Sequence, residues 1–168
     1  LPLGHSGTLE IEEKLAACDA IAKEARAKRA GPAVDPLQLS VETPGGVRIT
    51  GVLGDRFPGG VVRHMYSSIK AKYLVDAWIR HLGSCAAPGP SARSVLVGRG
   101  KGKADVVEWK PLPIDAAVRE LGQLVQVYRE GLERPLPFLP DTSRKYCLAL
   151  ASGADAALSA AVGAYDDD

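Results

Sequence analysis

Cysteines are few in this sequence, and long apolar runs are absent. Its three cysteines, Cys18, Cys85 and Cys147, lie far apart and form no CxxC pair. An odd and scattered set indicates reduced thiols rather than a disulfide framework or a zinc site. No stretch approaches the roughly 20 apolar residues of a membrane-spanning helix. The sequence therefore predicts a cytoplasmic protein, with Cys18 and Cys147 on the buried faces of helices.

The sequence also lacks an excess of charge of either sign. Its 21 basic and 20 acidic residues leave a formal net charge of +1. Non-specific nucleic-acid binding is driven by a general excess of positive charge, which is missing here. Any contact with DNA must therefore come from a local basic patch.

The length of 168 residues, of which 46% are hydrophobic, suits one domain with a sizeable core. We therefore expect a single domain over residues 1–168. The chain begins without Met, in a loop-like segment, and ends in the acidic residues 166–168. These ends predict a fragment of a longer chain.

Apolar residues recur at helical spacing near the N-terminus. Thr8 is a candidate helix cap. After it, apolar positions alternate by four and three residues and predict one buried stripe: Ile11, Leu15, Cys18, Ala22 and Ala25.

Beyond Pro36 the period of the apolar residues changes to two. Residues 37–41 and 47–53 flank a Thr-Pro-Gly-Gly turn and predict a β-hairpin. Residues 61–66 predict a third strand that completes a meander. A helix with an apolar stripe over residues 71–82 follows, and Gly83 is predicted to end it.

The second half of the chain alternates strands and helices. Residues 94–98 and 105–109 predict two strands joined by the Gly- and Lys-rich loop 99–103, and residues 115–132 predict a helix with Tyr128 and Leu132 on its apolar face. A proline-rich segment and a last helical region follow, with Asp141 or Thr142 as its cap. This order predicts an α/β (α+β) fold in which helices flank a mixed central β-sheet.

The order helix, three strands, helix, strand resembles the core of the restriction-endonuclease-like PD-(D/E)xK fold. Within that order, residues 45–51, 61–72 and 78–82 resemble the RecC family, the gamma chain of exodeoxyribonuclease V. Residues 128–140, with Thr142 and Ser143 after them, give the strongest match. These segments cover most of the chain, and their shared order is more specific than any one of them.

The resemblance defines where a nuclease centre would lie. Active members of the fold place an Asp at the end of the second strand, and an acidic residue two positions before a Lys on the third. Two carboxylates then hold Mg²⁺ while the Lys acts on the attacking water. Here these positions carry Gly54, Arg63 and Met65, and Asp55 comes one residue late. The sequence thus predicts no catalytic residue and no metal ligand, and the resemblance likewise implies a domain that has lost its catalytic residues.

What the resemblance implies for the whole assembly is a hetero-oligomer with RecB and RecD that unwinds and degrades DNA ends during recombinational repair. ATP and Mg²⁺ are then expected in the partner subunits, and no cofactor is expected in this domain. The expected role is to hold the partners and to guide a separated DNA strand.

Each candidate residue also has a plainer interpretation. Asp55, between Gly54 and Pro58, is typical of a turn rather than of a metal ligand. His81 is predicted near a helix end, where it would interact with the helix dipole. Trp78 and Trp109 lie on apolar faces and indicate core packing more than base stacking.

The DNA-binding candidates are basic residues in two places. Arg63, His64, Lys70 and Lys72 surround the third strand and the start of the next helix, and the loop adds three more at Arg99, Lys101 and Lys103. The alternative is a solvated face with no ligand. The loop is too short for a phosphate-binding P-loop and lacks its Ser or Thr.

Phe138 and Leu139 are candidates for a partner interface, although the same residues could cover the domain's own core. Two other functions stay open. One is an active Mg²⁺-dependent nuclease that uses Asp55 with Glu42 or Glu108, and the other is a generic DNA-binding module, which the near-zero net charge disfavours.

Overall fold

The structure is a computed structural model that describes residues 4–88 and 93–166. Its helices are α1 (His5–Arg29), α2 (Ala71–Ala86), α3 (Ile114–Glu133), α4 (Pro140–Ala149) and α5 (Ala154–Asp166). Its strands are β1 (Leu37–Glu42), β2 (Arg48–Leu53), β3 (Arg56–Phe57), β4 (Gly60–His64), β5 (Ser94–Arg99) and β6 (Ala104–Trp109). The predicted α+β class is confirmed.

The strands form two separate sheets. β1 and β2 make an antiparallel hairpin, and the second sheet has the order β3-β4-β5-β6. Its central strands β4 and β5 are parallel and the outer pairs are antiparallel, so the predicted mixed sheet is confirmed. The predicted meander is wrong, because the chain turns after β2 at Asp55, whose φ is 55°, and β4 then pairs away from the hairpin.

The second sheet packs against α1 on one side. Val62, Val95 and Val97 form a buried cluster with Ile21 and Ala25 of α1. Because side chains alternate along a strand, the neighbours of Val62 on β4 point to the other face of the sheet. This alternation decides that Arg63 lies away from α1.

Helix α1 begins at His5 and not at Thr8, whose hydroxyl donates a hydrogen bond back to the Gly4 carbonyl. The predicted buried stripe is wrong in its first half, because Leu15 is 59% exposed and Cys18 is also exposed. Only from Ile21 onward does α1 contribute to the core cluster. The pattern thus predicted the helix correctly but not the part of it that is buried.

Helix α2 connects the parallel strands β4 and β5 and packs against α3. Leu82 and Cys85 of α2 form a second cluster with Leu121 of α3 and Val41 of the hairpin. A parallel strand pair needs a crossover of this kind, so α2 lies directly beside β4.

His81 is wholly buried in α2. Its ring lies 5.4 Å from that of Trp78 and 6.3 Å from that of Trp109, and its Nδ1 is 2.9 Å from the Ser94 hydroxyl. The predicted role at a helix end is wrong, because α2 continues past Gly83 to Ala86. Trp78 packs against the second cluster, as predicted.

The C-terminal helices α4 and α5 pack mainly against each other. Asp141 does not cap its own helix, because it lies inside the first turn of α4 and accepts a hydrogen bond of 2.9 Å from the Ala71 amide. It thereby satisfies a free N–H at the start of α2. Cys147 of α4 is exposed, contrary to its predicted burial.

Within residues 4–88 and 93–166, none of the helices is long and apolar enough to cross a membrane.

Candidate functional site

The expected nuclease centre contains a group of paired charges, which we call the Arg63 centre: Asp55, Arg63, Asp76 and Arg80. Arg63 Nε lies 3.6 Å from Asp55 Oδ2, and Arg63 Nη1 donates a hydrogen bond to Asp76 Oδ2. Arg80 Nε lies 3.2 Å from Asp76 Oδ1. One guanidinium therefore bridges two carboxylates, a geometry for which its rigid fork of donors is well suited.

Three different elements supply the Arg63 centre. Arg63 lies on β4, on the face opposite the α1 cluster, and Asp76 and Arg80 lie one turn apart on α2. Asp55 comes from the connection between β2 and β3, where its left-handed backbone turns the chain. In an extended strand, the one-residue offset of Asp55 would point its side chain to the opposite face. The backbone of Asp55 is left-handed instead, so its carboxylate can lie beside Arg63.

The ionisation of Asp76 depends on its two cationic neighbours. Partial burial alone would disfavour the charged carboxylate, but the hydrogen bond and charge of Arg63, with a contribution from Arg80, hold the pKa of Asp76 below its usual value. Asp76 is therefore fully ionised at neutral pH, and its single negative charge is shared between the two arginines.

The other two positions of the expected centre carry Gly54 and Met65. Gly54 has no side chain, and Met65 follows β4 with its amide donating to the Val97 carbonyl at 2.9 Å. A thioether cannot supply the charged donor that a Lys would provide.

The carboxylates suggested for an active nuclease have separate cationic partners. Glu42 lies 3.8 Å from Arg48, and Glu108 lies 2.6 Å from Lys28. The hydrogen bond from Lys28 lowers the pKa of Glu108. Within the part of the chain that the structure describes, no three His, Cys, Asp or Glu side chains are grouped so that they could hold a metal ion.

A cavity of about 670 Å³ lies between α1 and the β5–β6 turn. We call it the turn cavity. Its lining consists of Glu10, Glu13, Lys14, Ala16, Ala17, Ala20, Tyr66 and residues 99–103. Its volume falls within the range typical of ligand sites.

Glycines determine the shape of the turn cavity. A Cβ at Gly98 would lie 2.5 Å from Ile69 Cγ1 and 3.0 Å from the Ser67 carbonyl, so only glycine lets the loop after β4 lie on β5. The Arg99 amide donates to the same Ser67 carbonyl at 3.0 Å. These contacts bring Tyr66 next to Arg99, whose guanidinium carbon lies 5.0 Å from the ring centroid.

The family model of the RecC C-terminal domain matches residues 1–151. The chain belongs to the RecC C-terminal domain family. The predicted resemblance is confirmed.

Three relatives are proteins described as RecBCD enzyme subunit RecC. The one from Escherichia coli K12 is 36% identical over 99 residues, which are 58% of this chain and 8% of that protein. The one from Mycobacterium tuberculosis H37Rv is 28% identical over 156 residues, 92% of this chain and 14% of that protein. The one from Mycolicibacterium smegmatis is 31% identical over 159 residues, with the same coverage of 92% and 14%. This RecC domain therefore matches only a small part of each relative's length.

The structure separates the predicted DNA-binding residues of this RecC domain into groups. Arg63 is bound in its ion pairs, and His64 Nδ1 lies 3.2 Å from Arg29 Nη2. Lys70 and Lys72 are exposed at the start of α2. The other three, Arg99, Lys101 and Lys103, are brought together at the turn cavity.

The predicted partner residues of the RecC domain are on its surface. Phe138 is 53% exposed and Leu139 is 45% exposed, so neither covers the domain's own core. Tyr128 and Leu132 on α3 are also exposed, although their helical spacing predicts burial.

Sequence reasoning missed several residues of both sites. Asp76 and Arg80 were not identified, although their spacing of four residues on a helix indicates an ion pair. Tyr66 and Lys14 were missed at the turn cavity. No local signal marks them, because α1 and the loop after β4 meet only in the folded chain.

Proposed function

We propose that this chain is a non-catalytic, nuclease-like domain of RecC that holds RecB and RecD and guides a DNA strand within a RecBCD complex. The process in which we propose that this complex acts is the repair of double-strand breaks by homologous recombination. The proposal places the domain in the cytoplasm, where bacterial DNA lies.

The observation that carries the proposal is the position of the Arg63 guanidinium. It bridges Asp55 and Asp76, and the resemblance leads us to expect the metal site of the fold's active members at this position. A fixed positive charge there repels Mg²⁺ and already satisfies both carboxylates. The two arginines leave the centre without the net negative charge that metal-assisted hydrolysis needs, which supports a non-catalytic role.

The partner role is supported by family membership and by the exposed apolar residues. The relatives are described as subunits of the RecBCD enzyme, which gives RecB and RecD as the expected partners. ATP binding and the Mg²⁺ of cleavage then belong to those partners. Phe138 offers an exposed aromatic side chain of the kind that contributes strongly to protein interfaces, and Leu139 beside it adds apolar area.

The catalytic part of the proposal is tested by calorimetric titration of the full chain with Mg²⁺ and Mn²⁺, followed by incubation with end-labelled single- and double-stranded DNA. We expect no saturable metal heat and no cleavage. Metal binding together with cleavage that Asp55→Ala abolishes would instead establish an active nuclease.

The partner role is tested by co-expression of the full chain with RecB and RecD, followed by affinity capture on RecB. We expect Phe138→Ser with Leu139→Ser to reduce capture at least tenfold, since buried aromatic anchors dominate interface energies. The matched control is Val34→Ser with Val52→Ser, two apolar residues that are exposed elsewhere. Equal capture of both double variants would remove this surface from the proposal.

A further inference from the structure

We propose that the turn cavity binds single-stranded DNA, with phosphates along the β5–β6 turn and a base against Tyr66. This inference rests on the proposed function and names the site at which a DNA strand is held. Residues of α1, of the loop after β4 and of the turn create it together.

The β5–β6 turn carries unpaired positive charge. Arg99, Lys101 and Lys103 form no ion pair with any described residue, and all three are exposed. Lys14 differs, because its Nζ lies 2.5 Å from Glu10 Oε1. That hydrogen bond raises the pKa of Lys14, so Lys14 stays protonated and its positive charge is balanced by the Glu10 carboxylate. The turn therefore carries the cations that are available to phosphates.

The backbone of the turn keeps these cations close together. The Gly100 amide donates to the Lys103 carbonyl at 3.0 Å, and Gly102 has a φ of 71°, which glycine adopts without strain. The alternation of Gly and Lys thus has a physical reason. It closes a tight turn while placing a cation at every second position.

An aromatic surface lies beside these cations. Tyr66 is 40% exposed, and the planar guanidinium of Arg99 lies over its ring. Proteins bind single strands by combining such aromatic and guanidinium planes with a basic groove. In duplex DNA the bases stack on one another and cannot reach a tyrosine ring, so an unpaired strand is the ligand that fits.

The two walls of the turn cavity differ in charge. The α1 wall contains Ala16, Ala17 and Ala20 together with Glu10 and Glu13, whereas the turn wall is basic. The two glutamates repel phosphates, so the phosphodiester backbone follows the turn. The small alanine side chains leave room on the other side for the bases.

The experiment measures binding of the full chain to a fluorescein-labelled oligothymidylate by fluorescence anisotropy at several salt concentrations. We expect Lys101→Glu with Lys103→Glu to weaken affinity at least tenfold. Replacement of the same lysines by Ala should reduce the slope of log affinity against log salt by about 1.4, since each phosphate contact to a single strand contributes about 0.7.

The charge-matched control is Lys110→Glu with Lys145→Glu, which changes two exposed lysines outside the cavity. It should alter affinity less than threefold. Tyr66→Leu should weaken binding about tenfold through lost stacking, while Tyr66→Phe retains it.

Three results would overturn the inference. The first is that the unmodified chain does not bind the oligothymidylate. The second is that the turn variant and its charge-matched control lose affinity equally. The third is that the turn variant loses affinity for duplex DNA but not for the single strand. None of these affects metal binding, cleavage or capture on RecB, so failure of this inference is distinguishable from failure of the proposed function.

Discussion

The Arg63 centre contains two basic residues and the turn cavity contains four, and the two sites differ in how these residues are paired. At the Arg63 centre, Arg63 and Arg80 both interact with Asp76, and Asp55 adds a second carboxylate. At the turn cavity, Lys101 and Lys103 have no acidic partner among the described residues. The difference shows that the presence of basic residues does not identify an anion site. What matters is whether the fold also supplies carboxylates to neutralise them.

The largest effect is expected when the charge of the Arg63 centre is reversed. Arg63→Glu places a third carboxylate beside Asp55 and Asp76 in a position where the Arg63 side chain is only 26% exposed. We expect the free energy of unfolding to fall by about 3 kcal/mol, measured by urea denaturation. The control Arg48→Glu breaks an exposed pair with Glu42 and should cost less than about 1 kcal/mol. Equal costs would show that the Arg63 pairs are ordinary surface pairs.

A smaller effect is expected when the wall of the turn cavity is moved. Gly98→Ala brings a Cβ against Ile69 and the Ser67 carbonyl, so the loop that carries Tyr66 must shift. We expect a loss of stability of about 2 kcal/mol and weaker binding of single-stranded DNA. Gly45→Ala is the control, because nothing lies within 4 Å of the added Cβ. An unchanged stability for Gly98→Ala would contradict the close packing described above.

The pH dependence of stability should show a third and smaller effect. The pKa of Asp76 is lower in the folded chain than in the unfolded chain, so the folded state binds fewer protons. The stabilisation by Asp76 is therefore fully present above the unfolded value of about 3.9 and is lost as the pH falls through the lowered folded value.

Because the side chain of Asp76 is 48% exposed, solvent screening limits this contribution to about 1 kcal/mol. Asp76→Asn should reduce the urea midpoint at neutral pH and converge with the unmodified chain in acid. A constant difference between the two chains at all pH values would show that the ion pair is not its cause.

The smallest effect is expected at the turn. Lys101→Glu and Lys103→Glu should each change stability by less than about 0.5 kcal/mol, because exposed unpaired charges contribute little to folding. Thermal unfolding at low salt measures this. A larger loss would mean that the lysines have a structural role, and the DNA-binding results would then need to be judged on variants of equal stability.

Much of the local structure could be predicted from the sequence. The hairpin around the Thr43–Gly46 turn, the strands β5 and β6 and the helix α3 all lie close to their predicted bounds. Periodicity and turn residues determine such elements because they act over a few neighbouring residues. The RecC family could be recognised from short segments for the same reason.

Burial was predicted less well than secondary structure. Leu15 and Tyr128 lie on apolar stripes yet are exposed, whereas His81, which the sequence placed near a helix end, is completely buried. A stripe shows which face of a helix is apolar, but the packing of other elements decides how much of that face is covered.

The sequence by itself determined the α+β class and the family, and it predicts Gly54, Arg63 and Met65 at the positions where a nuclease of this fold carries its catalytic residues. Only the tertiary structure decided that Arg63 bridges Asp55 and Asp76, and that Tyr66 lies beside the lysines of the turn. The physical reason is the separation along the chain over which each kind of interaction acts. Backbone propensity and side-chain type act locally, whereas ion pairs and cavities depend on distances between segments that meet only when β4, α2 and α1 are packed together.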